Sequence, residues 1–124
     1  MTALIALRKS SLIAVFSSLV ALLAGCVSPS DLRTNTPTVS ATTKKEPKKY
    51  ALCVFPHWQD ARSEATMSET ENGYRLVIGA MQLTDELLEI NKTSSGSSVV
   101  FYQRSAWAPG VGRTAIEAAV RNCM

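Results

Sequence analysis

The chain has 124 residues, 46% of them hydrophobic and 19% charged, with a formal net charge of +3 and a single histidine. Part of the basic excess is Arg8 and Lys9 near the start, and no basic stripe with base-stacking residues follows, which excludes nucleic acid as an expected partner. Three cysteines without a Cys-x-x-Cys pair, beside one histidine, argue against a redox or metal centre, so no cofactor and no metal are expected.

In chain order, Arg8 and Lys9 precede a charge-free stretch from Ser10 through Leu22, the basic and apolar regions of a secretory signal peptide. It closes on Leu23-Ala24-Gly25-Cys26. Those four residues resemble the lipobox of bacterial lipoproteins. The resemblance implies residues 1–25 as a cleaved leader, a diacylglyceryl group on the Cys26 thiol, and usually an acylated new N-terminus. The partner implied first is therefore a membrane, held through lipid, since two acyl chains anchor stably where one does not. The competing reading is an uncleaved spanning helix of about 20 apolar residues. Ser17, Ser18, Gly25 and Pro29 interrupt such a helix, and cleavage is the stronger expectation. Val27, where lipoproteins retained at the inner membrane carry aspartate, favours by the same resemblance an outer-membrane location facing the periplasm.

Residues 26–49 then read as the lipidated cysteine and a flexible tether, rich in Ser, Thr, Pro and Lys and without an aromatic side chain or an apolar period. Lys44, Lys45, Lys48 and Lys49 could rest on anionic lipid or cell-wall polymer, or merely keep a linker soluble. Residues 50–124 form one small domain, near the size at which a hydrophobic core alone is marginal. Cys53 and Cys123 are its two cysteines, and in an oxidising envelope compartment they are expected as a disulfide.

Within the domain, Tyr50 to Phe55 is read as a short helix stopped by Pro56, or alternatively as a strand. Glu64–Glu71 and Tyr74–Ala80 are two strands around Asn72-Gly73, a dipeptide suited to a type I′ hairpin turn. Glu86–Asn91 and Ser98–Arg104 are a second pair around a loop at 92–96. After Gly110-Val111-Gly112, Thr114 and Glu117 have the spacing of a capping box, and Ile116, Ala119, Val120 and Cys123 share one helical face. The expected fold class is α+β: an antiparallel sheet of about four strands with a C-terminal helix on one face and a disulfide staple.

Candidate chemistry is sparse. His57 and Asp60 could orient one another on a helical turn, but no nucleophile is placed beside them, so no catalytic residue is assigned. Asp85, Glu86 and Glu89 lack the glycine turn and ligand number of a calcium loop and read as a solvated strand edge or turn. Gly110-Val111-Gly112-Arg113 reads as the start of a helix rather than an anion cradle. Trp58, Tyr102 and Trp107, with Arg104 and Arg113, are the candidates for contact with a protein partner, because interfaces favour Trp, Tyr and Arg.

Ser95-Gly96-Ser97 followed by Phe101-Tyr102 and Trp107 resembles the lysozyme-inhibitor lipoproteins, which are small disulfide-stapled antiparallel barrels. Trp107-Ala108-Pro109-Gly110 and a helix then depart from that family's Trp-Lys-Gly and further strand. The leading expectation is a lipid-anchored, non-enzymatic binding or assembly module with an envelope protein or cell-wall partner. Inhibition of a cell-wall hydrolase is the alternative, and a small envelope enzyme the third. The sequence leaves the oligomeric state open.

Overall fold

A computed structural model describes residues 26–80 and 83–124 of the chain. The expected leader, including Leu23 to Gly25, lies outside the described residues. The remainder builds α1 (Pro29–Leu32), β1 (Val39–Thr43), α2 (Pro47–Ala61), β2 (Thr66–Thr70), β3 (Gly73–Ala80), β4 (Leu83–Thr93), β5 (Gly96–Gln103) and α3 (Arg113–Asn122). The strands form one antiparallel sheet in the order β1-β5-β4-β3-β2. The class is α+β, as expected, with five strands where about four were read.

The fifth strand comes from the expected tether, and this is the main correction. Val39 pairs with Phe101 and Ala41 with Val99, so these two residues face the core while Ser40 and Thr42 point to the other face. Two small apolar residues give a weak periodic signal; the strand forms because β5 offers an unpaired edge and Val39 is buried against it. Further upstream, Pro29 opens α1, whose N-cap Ser28 exchanges hydrogen bonds with Asp31 in a capping box. Those bonds, from the Ser28 backbone first and its hydroxyl second, hold the Asp31 carboxyl below its ordinary range. Leu32 is buried, and Arg33 reaches Glu89 on the sheet face opposite the longer helices. Val27 forms a parallel bridge with Leu83. The segment is folded onto the domain from its first described residues.

The first domain element is a helix, and it is longer than read. Pro56 lies inside α2 rather than ending it. Pro56 removes the bond to the Leu52 carbonyl, but both residues are on the exposed side, where water can satisfy that oxygen. The opposite side buries Tyr50, Ala51, Val54 and Trp58 against the sheet. Lys48 and Lys49 belong to this helix, and Lys45 donates to the Cys123 carbonyl, so the lysine cluster is not part of a linker.

The first hairpin turns one residue earlier than Asn72-Gly73. Thr70 pairs with Gly73, leaving Glu71 and Asn72 as the connection, and neither Asn72 nor Gly73 has positive φ. Gly73 is required by close approach instead, since a Cβ there would overlap the Ile90 carbonyl oxygen on β4. The expected capping box of the last helix is likewise absent. Gly112 is the N-cap, at φ 71°, with no side-chain bond; Glu117 pairs with Arg121 one turn on. A Cβ on Gly112 would stand 3.1 Å from Ala61, so conformation and packing both select glycine.

Both helices lie on the sheet face that carries Leu76, Ile78, Leu88, Ile90, Val99 and Phe101. Trp58 and Phe101 rings stand 5.7 Å apart at 56°. Two buried polar tips reach α3: Trp58 Nε1 donates to the Ile116 carbonyl at 3.1 Å and the Tyr50 hydroxyl to the Val120 carbonyl at 2.7 Å. Burial pushes the Tyr50 phenol well above its ordinary range, which keeps it a donor. Cys53 and Cys123 are disulfide-bonded with Cα atoms 5.9 Å apart, joining α2 to the end of α3. The bond closes a loop spanning 70 positions, which restricts the unfolded chain by roughly 4 kcal/mol.

Candidate functional site

One end of the sheet collects the features that can act. The antiparallel register sets the end of β5 beside the start of β4, and Val27 pairs there with Leu83. The loop 104–112 leaves β5 at this end and returns to α3. Ser105 turns the chain at φ 49°, and the Ala108 amide closes onto the Ser105 carbonyl at 2.9 Å.

Arg113 organises this loop from within. Its guanidinium donates to the carbonyls of Ser105 at 2.6 Å and Ala108 at 2.9 Å, to that of Arg104, and to Glu86 Oε1 at 2.7 Å. Glu86 is fully buried, and burial raises its carboxyl above the ordinary range, with Arg113 and Gln103 offsetting this only in part. The planar fork of arginine suits such a task, presenting several donors in fixed directions. Beside it, Asp85 accepts from Arg104 Nε at 2.8 Å and from Arg62 Nη1 at 3.1 Å. Burial alone would raise the Asp85 carboxyl, but the hydrogen bonds from Arg104 and Arg62 outweigh it and hold the group below its ordinary range. Glu89, two residues beyond Leu87 on the same face, accepts from Arg33 and Arg75.

The three carboxylates are thus not a solvated edge or turn. They lie on β4, an interior strand, and each is spent on arginines. Among the described residues no group of three or more His, Cys, Asp or Glu is arranged to hold a metal.

What this framework holds out is apolar. Trp107 is 88% exposed and Val111 79%, the two most exposed large hydrophobic side chains among the described residues. They share a depression with Arg62, Asp85, Arg104 and Arg113. Of the five expected contact residues, then, Arg104, Trp107 and Arg113 come together. Trp58 does not; it is a core residue. Tyr102 does not either, lying half-buried opposite Leu87 on the sheet face away from the longer helices.

No family description, curated protein or solved structure matches the chain.

Sequence reasoning missed Val111 and Arg62, which line one depression with Trp107, and Val27, which lines another with it. A bulky apolar residue between two glycines was the available signal for Val111; the other two are brought in by topology alone. His57 and Asp60 share a different depression, between α2 and α3, lined by Ala115, Ala118 and Asn122 and closed by Cys123, which is disulfide-bonded. No serine, threonine or free thiol lines it. Cys26 is exposed and immediately precedes the Val27 bridge to the sheet.

Proposed function

We propose that the protein is a lipid-anchored, non-enzymatic binding or assembly module of the bacterial cell envelope, attached through Cys26 and facing the periplasm from the outer membrane. Its contact element is the loop 104–112. The observation that carries this reading is the 88% exposed Trp107 on a loop whose backbone is clasped by the part-buried Arg113. Covering the exposed Trp107 ring removes apolar area from water, and a loop held by three carbonyl bonds to one guanidinium loses little entropy when covered.

The inhibitor alternative draws no support from the β4–β5 hairpin. Ser97 is buried there and its hydroxyl donates to the Lys45 carbonyl at 2.8 Å, which leaves it nothing to offer an enzyme cleft.

The test places a photo-crosslinking side chain at position 107, and separately at the exposed position 60, in intact cells. An adduct from position 107 and none from position 60 is expected, together with an acylated Cys26 by intact mass. An unmodified Cys26 removes the anchor, and the same adducts from both positions remove the loop as contact element. Suppressed cell-wall lysis on addition of the protein would put the inhibitor reading first.

A further inference from the structure

We propose that the loop 104–112 is a second membrane contact, with Trp107 and Val111 seated in the interfacial layer of the same bilayer that holds the lipid on Cys26. This rests on the lipoprotein reading and names the partner of its contact loop.

The argument is one of reach. A flexible tether would have let the domain wander from its anchor, but the Thr84 amide donates to the Val27 carbonyl at 2.9 Å, so the residue after Cys26 is part of the sheet. One residue of chain spans at most about 3.6 Å. A lipidated Cys26 therefore brings this end of the sheet down onto the membrane. Val27 and Trp107 line a single surface depression, with Asp31, Leu32, Gln103 and Arg104, so one carboxylate and one guanidinium flank the apolar residues. What shares this depression with Val27 faces the headgroups, and it includes the most exposed aromatic side chain of the described residues. Tryptophan prefers that layer, where its ring is half in an apolar medium and its N–H stays wet. Val111 adds a short apolar side chain to the same loop. Arg104 keeps its Nε and Nη2 on Asp85, and with 40% of its side chain exposed it has only Nη1 to offer a lipid phosphate. A protein partner would have to fit between this loop and a bilayer already in contact with it.

The geometry fixes orientation as well as attachment. Two contacts at one end of a sheet stand the strands away from the membrane and turn the opposite end, with the hairpin turns at 71–72 and 94–95, toward the periplasm.

The experiment uses the full lipidated protein reconstituted into phosphatidylethanolamine/phosphatidylglycerol vesicles, with and without bromine-labelled acyl chains. The chain has two tryptophans, and Trp58 is fully buried, so it serves as an internal reference. Binding should shift emission to shorter wavelength, shield it from iodide and make it quenchable by the brominated lipid; Trp107→Phe should abolish all three changes while the protein still floats with the vesicles. Protein that floats but keeps Trp107 open to iodide overturns this inference and leaves the anchor standing. Emission shielded from iodide yet insensitive to brominated lipid overturns it in favour of self-association. A chain that does not float overturns the anchor and this inference together.

Discussion

Arg113 and Glu86 meet at 2.7 Å where the last helix begins, and the same guanidinium binds three carbonyls of the loop it follows. A single ion pair thus couples the interior strand β4 to the most exposed part of the domain. Replacing Arg113 with alanine leaves a buried carboxylate without its counter-charge and frees the loop. Loss of a buried partner costs about 3–5 kcal/mol. Urea unfolding should show that loss, and limited proteolysis should cut within 104–112 in the variant but not in the wild type. Arg113→Lys, with the charge but not the fork, should restore only part of the stability.

The two neighbouring carboxylates on β4 give opposite pH signatures. Glu86 has a folded-state pKa above its unfolded value of 4.5, so its contribution is fully present below that value and is lost as pH rises through the folded pKa. Asp85 has a folded-state pKa below its unfolded value of 3.8, so its contribution is present above 3.8 and is lost as pH falls through the folded pKa. From neutral pH downward, wild type should therefore gain stability relative to Glu86→Gln as pH approaches 4.5. Its advantage over Asp85→Asn should hold down to about 3.8 and then shrink on further acidification. Unfolding midpoints measured across pH 3–7 for the three proteins check both signs; parallel curves would mean that neither shift is present.

Deleting Thr34–Thr43 distinguishes a folded segment from a linker. The deletion removes β1 and uncovers the β5 edge at Val99 and Phe101, two residues of the main core. Cooperative unfolding should weaken or vanish, because a bare apolar edge invites pairing with other chains. An unchanged urea midpoint with only a shorter reach would return the segment to the role of a tether.

That segment also marks the limit of what the sequence makes legible. The disulfide, the α+β class, two hairpins and the closing helix follow from cysteine position, alternation and helical period, which are local signals. β1 does not, because Val-Ser-Ala-Thr-Thr becomes a strand only through the edge that β5 presents to it. Pro56 misleads for a related reason: its cost is small where the orphaned carbonyl faces water, and exposure is a tertiary property. The acidic run on β4 reads as solvated because its arginine partners are at positions 33, 62, 75, 104 and 113, far apart in the chain. Of the candidate site, the residue types were legible and their assembly was not.

Reducing the domain tests the staple. Cys53→Ser with Cys123→Ser should cost about 2–5 kcal/mol, the usual range for removing a disulfide from a small secreted domain. The loss is expected in the urea midpoint of the oxidised wild type against the double variant. Reductant should lower the wild type to the variant's midpoint and leave the variant itself unchanged.

The two tryptophans should divide stability from contact. Trp58 is wholly buried, stacks at a tilt on Phe101 and donates to the Ile116 carbonyl, so Trp58→Ala removes packing and the indole's bond to α3. A cost of about 3–5 kcal/mol is expected, enough to unfold much of a marginal domain. Trp107 touches little and is open to solvent, so Trp107→Ala should change stability by no more than about 0.5 kcal/mol. The order reverses for binding. With the lipid on Cys26 in place, Trp107→Ala should weaken retention of the loop at its contact surface, whereas a folded Trp58→Phe protein should keep it. Urea midpoints and iodide accessibility of a probe at Val111, measured on both variants, separate the two roles: a Trp107→Ala protein that unfolds like Trp58→Ala would make the loop part of the core, and a Val111 probe equally shielded with and without Trp107 would move the contact elsewhere on the surface.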